Sequence, residues 1–151
     1  MKTWFECKIR YEKVMENGMN KKVTEPYLVD ALSFTEAEAR IIEEITPFIS
    51  GDFQVAGIKR ANYSELFDNY DGDRYFDCKV NFTTLDEKSG AEKKTKVNVI
   101  VKANDIREAI KNLDEGMKGT LADYTSVSVK ETEIMDVFKY EDKTAETEEI
   151  N

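Results

Sequence analysis

The sequence predicts an α+β fold: a tandem duplication of a strand–strand–helix–strand unit, mainly antiparallel, with about six strands and two helices. Three observations predict it. The stretch WFECKIRY from Trp4 is matched by YFDCKVNF from Tyr75, 71 residues later. The following KKVTEPYLVDALSF is matched by KKTKVNVIVKAND, and IKRANYSELF from Ile58 by VKETEIMDVF from Val129. Between the matched stretches each half carries a helical pattern. A two-fold repeat is too short for a solenoid, so the halves are expected to share one compact domain or to pack face to face. The repeats are placed at residues 1–70 and 71–140, with 141–151 as an acidic flexible tail.

The first strand alternates Phe5, Cys7, Ile9 and Tyr11 with Glu6, Lys8 and Arg10, the period-2 pattern of a half-buried strand. Its counterpart alternates Phe76, Cys78, Val80 and Phe82 with Asp77, Lys79 and Asn81. Glu16-Asn17-Gly18 and Lys88-Ser89-Gly90 supply hairpin turns, because Asn and Gly tolerate positive φ. The returning strands place Tyr27, Val29 and Ala31, then Val97, Val99 and Val101, toward a core. The first helix is expected to start at Thr35 as N-cap with Glu38 three residues on, and to bury Ala37, Ile41, Ile45 and Phe48. The second starts at Asn104 or Asp105 and turns Ile106, Ile110, Leu113 and Met117 inward, with Gly116 and Gly119 at its exit. The last strand of each unit is expected beside the first.

The 151 residues carry a formal net charge of −9 and no histidine. The stretch Glu141–Asn151 holds five acids and one base, so about half of that charge lies in the tail. Without histidine the usual general base near neutral pH is missing, as is the commonest metal ligand. Two cysteines 71 positions apart do not make a structural zinc site, and both fall on the apolar phase of their strands, where a thiol packs as a small hydrophobe. Asp68–Asp73 (DNYDGD) fails as a calcium loop, because Gly72 comes one position early and Lys79 stands where the bidentate Glu belongs. It reads better as the turn joining the repeats. No P-loop or dinucleotide-binding glycine string is present. The expectation is therefore a protein that is not an enzyme, with no cofactor and no metal; any catalysis would fall to Asp, Glu, Lys and Tyr alone. The chain has neither a signal-peptide pattern nor an apolar run long enough to span a bilayer, which suggests a cytoplasmic setting and no membrane partner.

Interest therefore moves to the outward phase of the strands. Trp4, Lys8 and Arg10 in the first half, and Tyr75 and Lys79 in the second, fall opposite the cysteines. Leu28 and Ile100 join them from the returning strands. An aromatic and an aliphatic at matching places exceed what a solvated face needs, so these faces either pack on each other or in a homo-oligomer, or bind a partner. The expected binding residues are Trp4, Lys8, Arg10, Leu28, Tyr75, Lys79 and Ile100. The expected partner is a protein or anionic ligand. Aromatics interleaved with lysines also suit single-stranded nucleic acid, competing with an acidic tail. A third reading is a protein that sequesters a small phosphorylated ligand.

The strings WFECKIRYEKVMENG, KKVTEPYLVDALSFTEAEARI, IKRANYSELF and DEKSGAEKK resemble a family of uncharacterised small proteins from Bacteroidetes and their phages. The resemblance runs from Trp4 to about Phe138. It brings no activity or catalytic residues, and it implies a phage or mobile-element accessory protein in the cytoplasm of a bacterial host.

Overall fold

The computed structural model describes residues 3–120 and 123–140; the acidic stretch 141–151 lies outside them. Its elements are β1 (Thr3–Val14), β2 (Asn20–Ala31), α1 (Phe34–Ile45), β3 (Phe53–Ala61), β4 (Glu65–Phe67), β5 (Arg74–Leu85), β6 (Glu92–Ala103), α2 (Ile106–Gly116), β7 (Asp123–Glu131) and β8 (Val137–Phe138), with a short 3₁₀ turn at Thr46–Phe48. The architecture is α+β, with two helices and two mixed four-stranded sheets ordered β3-β1-β2-β8 and β4-β6-β5-β7.

Each sheet begins with a hairpin of two twelve-residue strands. Gly18 (φ 80°) and Gly90 (φ 70°) take the left-handed turn positions that close these hairpins. The third strand returns antiparallel to the first, β3 on β1 and β7 on β5, as the order of the pattern predicts. Both returning strands carry a register shift at the same place, opposite Lys8/Ile9 and opposite Lys79/Val80. Ala56 and Val127 are the extra residues, which bend and twist each edge.

The structure corrects the expectation of six strands. IKRANYSELF and VKETEIMDVF are each two elements: the end of a long strand, then a short strand that pairs elsewhere. β4, following β3, pairs parallel with β6; β8, following β7, pairs parallel with β2. Each sheet is therefore completed by a segment that follows the third strand of the other. The chain divides into two units accordingly. One comprises Met1–Asn62 with the chain from Ile134 onward, and the other Tyr63–Glu133; there is no single cut near residue 70.

Each unit has its own core. Phe5, Cys7, Ile9, Tyr27 and Val29 meet Ala37, Ile41 and Ile45 of α1. Phe76, Cys78, Val80, Val99 and Val101 meet Ala109, Leu113 and Met117 of α2. Three helical expectations shift. The N-cap of α1 is Ser33, not Thr35: its hydroxyl accepts from the Glu36 amide at 3.1 Å. Ser33 and Glu36 form the same three-residue spacing two positions earlier, which lets Phe34 pack edge-on against Phe5 at 5.0 Å. Asp105 caps α2. Phe48 is 75 % exposed, because α1 ends at Ile45 and the 3₁₀ turn carrying Pro47 leaves the helical phase. Ile106 and Ile110 are half-exposed, since the inward row of α2 runs through Ala109, Leu113 and Met117.

Two close approaches in the second unit leave no room for a side chain. A Cβ at Gly116, in the last turn of α2, would stand 2.5 Å from the Phe67 ring of β4. One at Gly72 would meet the Ala103 backbone at 2.6 Å. Both cysteines are free and fully buried, and burial pushes each thiol from its ordinary 9.0 up to about 12.

Gly116→Ala is expected to cost about 1–3 kcal/mol in urea unfolding despite the better helix propensity of alanine. The loss should shrink in a Phe67→Leu background; equal losses in both backgrounds would show that the ring is not the cause. The cysteines give a pH dependence. Between pH 9 and 12 the folded thiols keep protons that the unfolded chain has released. Stability is therefore expected to fall as pH rises above 9, with each thiol adding to the slope. Cys7→Ala and Cys78→Ala should each flatten that slope in unfolding curves taken across the range.

Candidate functional site

Alternation along β1 and β5 sets one face of each sheet against a helix and leaves the other outward. In the second unit, register brings Lys79 beside Asn98 and Ser128, Asn81 beside Lys96 and Thr125, and Thr83 beside Lys94 and Asp123. The outward phase is thus a field of lysine, amide and hydroxyl groups between two carboxylates, Asp123 beside Thr83 and Asp77 opposite Lys130. Lys79, Lys94, Lys96 and Lys130 are exposed. Asp77 is half-buried; burial pushes its carboxyl above the usual carboxylate value, while Lys79 and Lys130 pull it back down. Its Oδ1 is buried with no hydrogen-bond partner.

The matching face of the first unit has mixed charge. Lys8 lies beside Pro26 and Gly57, Arg10 beside Thr24 and Gln54, and Glu12 beside Lys22. Glu6, the counterpart of Asp77, reaches Lys59 at 3.1 Å. An open cleft of about 610 Å³ runs from Arg10, Glu12 and Lys22 to the loop carrying Asp52. Carboxylates stand among its cations, so it offers no net positive field.

The structure separates the seven residues singled out by sequence. Lys8, Arg10 and Lys79 are exposed on their outward faces. Trp4 is half-buried. Leu28, Tyr75 and Ile100 are buried, at 1 %, 4 % and 0 % exposure, and present no accessible apolar anchor. The outward faces keep their cations and lose the aromatic–aliphatic pairs that alternation placed there. Among the described residues no group of three or more His, Cys, Asp or Glu comes together to hold a metal, and no helix is long and apolar enough to cross a membrane.

Sequence reasoning missed one cluster. Arg40, on the buried side of α1, donates from Nη1 to the backbone oxygen of Asp30 and, at 2.6 Å, to its Oδ1. The same Oδ1 accepts from the Tyr140 amide at 2.8 Å, and the guanidinium lies 5.3 Å from the centre of the Tyr140 ring. Glu44 stands 3.9 Å from Nη2, which is buried without a hydrogen-bond partner. In the second unit Asn112 donates to the Lys102 oxygen at 3.0 Å, the same helix-to-strand tie without charge. An arginine one position before Ile41 in the inward row of α1 was the available signal. The cluster holds the chain beyond β8 onto β2, a structural task.

A family model, Domain of unknown function (DUF4494), matches residues 3–140. No curated protein and no solved structure matches the chain.

Asp30→Ala should leave the buried Arg40 with only the more distant Glu44 as counter-charge and cost about 3 kcal/mol in denaturant unfolding. Lys59→Ala, which breaks the more exposed pair with Glu6, should change stability by less than about 1 kcal/mol. Equal effects would show that burial does not separate the two pairs.

Proposed function

We propose a function for a chain that belongs to the DUF4494 family of domains of unknown function: a non-catalytic binding module that engages an anionic partner through the outward face of its second sheet. The observation that carries this reading is the register placing Lys79, Lys94 and Lys96 on one face with Asn81, Asn98, Thr83 and Ser128. Lysines supply charge, and the amides and hydroxyls between them supply directed hydrogen bonds to carboxylate or phosphate oxygens. The β5–β6 hairpin, with twelve residues in each strand, gives this face the length to follow an extended partner. Single-stranded nucleic acid ranks second, because stacking needs exposed aromatics and Tyr75 is buried while Trp4 is half-buried. A small phosphorylated ligand ranks third, since the cleft beside Arg10 mixes cations with Glu12 and Asp52.

The same reading takes the two units as products of a tandem duplication. Their common strand order, their bulges opposite equivalent lysines and their equivalent parallel fourth strands all support it. A cytoplasmic phage or mobile-element accessory protein is the setting that the sequence resemblance suggests.

The test is binding to three polyanion probes at low salt: heparin, polyglutamate and an oligothymidylate, using protein with residues 141–151 deleted. Binding that weakens with salt is expected, reduced about tenfold or more by Lys79→Glu, Lys94→Glu and Lys96→Glu together. Lys111→Glu and Lys118→Glu on the helix side should leave it unchanged. No binding to any probe at low salt would sink the reading; binding to oligothymidylate alone would favour the nucleic-acid alternative.

A further inference from the structure

The short strands β4 and β8 occupy equivalent slots. β4 sets Leu66 against Ile100 and Phe67 against Val101; β8 sets Val137 against Leu28 and Phe138 against Val29. The amide one residue before the acidic position binds across in both: Ser64 N to Asn98 O and Met135 N to Pro26 O, each at 2.9 Å. The acidic residue is exposed, Glu65 in one slot and Asp136 in the other, and the aliphatic and Phe are half-buried. The rings turn to the helix side. Phe67 lies against Gly116, and Phe138 stacks on Tyr27 with centroids 5.9 Å apart. Neither slot takes the segment that follows its own sheet's third strand. What the two occupants share is a pattern, acidic–aliphatic–Phe, and a parallel register.

We infer that the slot beside β2 is a recognition site for this segment pattern, and that a second copy of the chain fills it with its own Asp136–Phe138, giving a strand-exchanged dimer. Parallel strand addition supplies affinity through backbone bonds and selectivity through the side-chain pocket, here Tyr27 and the apolar side of α1. The contacts are the same whether the segment arrives from the same chain or another. Only the effective concentration differs, on the order of millimolar for a short flexible connection. That connection is short: the Thr132 amide and hydroxyl are tied to the Tyr75 oxygen at 2.9 and 2.8 Å, and Ile134 is already buried in the first unit. A short hinge between two anchored points favours exchange over local rearrangement. A second copy is the fitting partner because its segment also brings Ile134 and the Tyr140 contacts with Asp30 and Arg40.

Two experiments on the full chain test this. Leu28→Cys and Val137→Cys, facing positions across the slot, are made in separate copies, mixed at high concentration, warmed below the unfolding transition and oxidised. A covalent heterodimer on a non-reducing gel is expected. Leu28→Cys mixed with Ser89→Cys, placed in the β5–β6 turn, serves as the collision control. In the second experiment a labelled peptide of residues 133–140 is titrated into full-length Phe138→Ala. Binding is expected, and the same peptide with its Phe replaced by Ala should bind about tenfold more weakly or worse. If Phe138→Ala does not fold, the crosslinking pair still decides, since it keeps the ring. Crosslinking no greater than the Ser89 control, or peptide binding indifferent to the phenylalanine, overturns the inference. Neither readout involves the lysine face, so failure here leaves the anion-binding proposal standing, and the reverse.

Discussion

A buried strand edge cannot leave its amides and carbonyls unpaired, and two short parallel strands meet that constraint in both sheets. The ends of β2 and β6 nearest their helices are buried, from Tyr27 to Ala31 and from Val99 to Val101. β8 and β4 cover those edges, and the residue before each adds one bond to Pro26 or Asn98. Each also delivers a phenylalanine to the core that the helix and sheet enclose. The Asp30–Arg40–Tyr140 cluster continues the same task one turn further along, where β8 has ended. Because these strands come from beyond the other sheet's third strand, the first unit is complete only when residues 1–62 meet residues from 134 onward. Its last contacts are therefore among the longest-range in the chain, and their closure entropy must be met before they stabilise anything.

Beyond the buried ends the hairpins project past β4 and β8, and their open edges are rich in lysine: Lys21 and Lys22 on β2, Lys93, Lys94 and Lys96 on β6. Charge on an open edge discourages pairing with other chains, which accounts for lysines on either phase. Lys93 pairs with Thr84 on the inward phase. Lys94 and Lys96 share the outward phase with Lys79, among amides and hydroxyls that lie between Asp77 and Asp123, and edge protection does not call for that company. The first sheet also carries two carboxylates, with Glu6 engaging Lys59 and Glu12 facing Lys22.

Much of the fold was legible from period and turn chemistry. Phe5, Cys7 and Ile9, and Phe76, Cys78 and Val80, are the buried phase that alternation assigns, and the cysteines are core residues. The hairpins close at Gly18 and Gly90. The start of α1 was read less well, because Thr35 and Ser33 stand in overlapping copies of one capping pattern and local sequence does not rank them. β4 and β8 were invisible as separate strands: three residues and two have no measurable period. The candidate site was legible in its cations only. Alternation placed Leu28, Tyr75 and Ile100 on the outward phase, but phase says which way a residue points and nothing about what lies above it. Arg40 went unread because a buried arginine is recognisable only with its partner, and Asp30 sits ten residues away on another element.

By itself the sequence determined the local matters: strand phase, hairpin turns, two amphipathic helices, the absence of histidine chemistry and the likeness between the two halves. These follow from neighbours within a few positions, where sterics and hydrophobic spacing act directly. The tertiary structure alone decided which sheet each short strand completes, which outward residues are covered, and that Arg40 is held by Asp30 and Tyr140. Those outcomes depend on edges and pockets that exist only after the chain has folded. A three-residue segment takes its place by the slot it fits rather than by a propensity of its own.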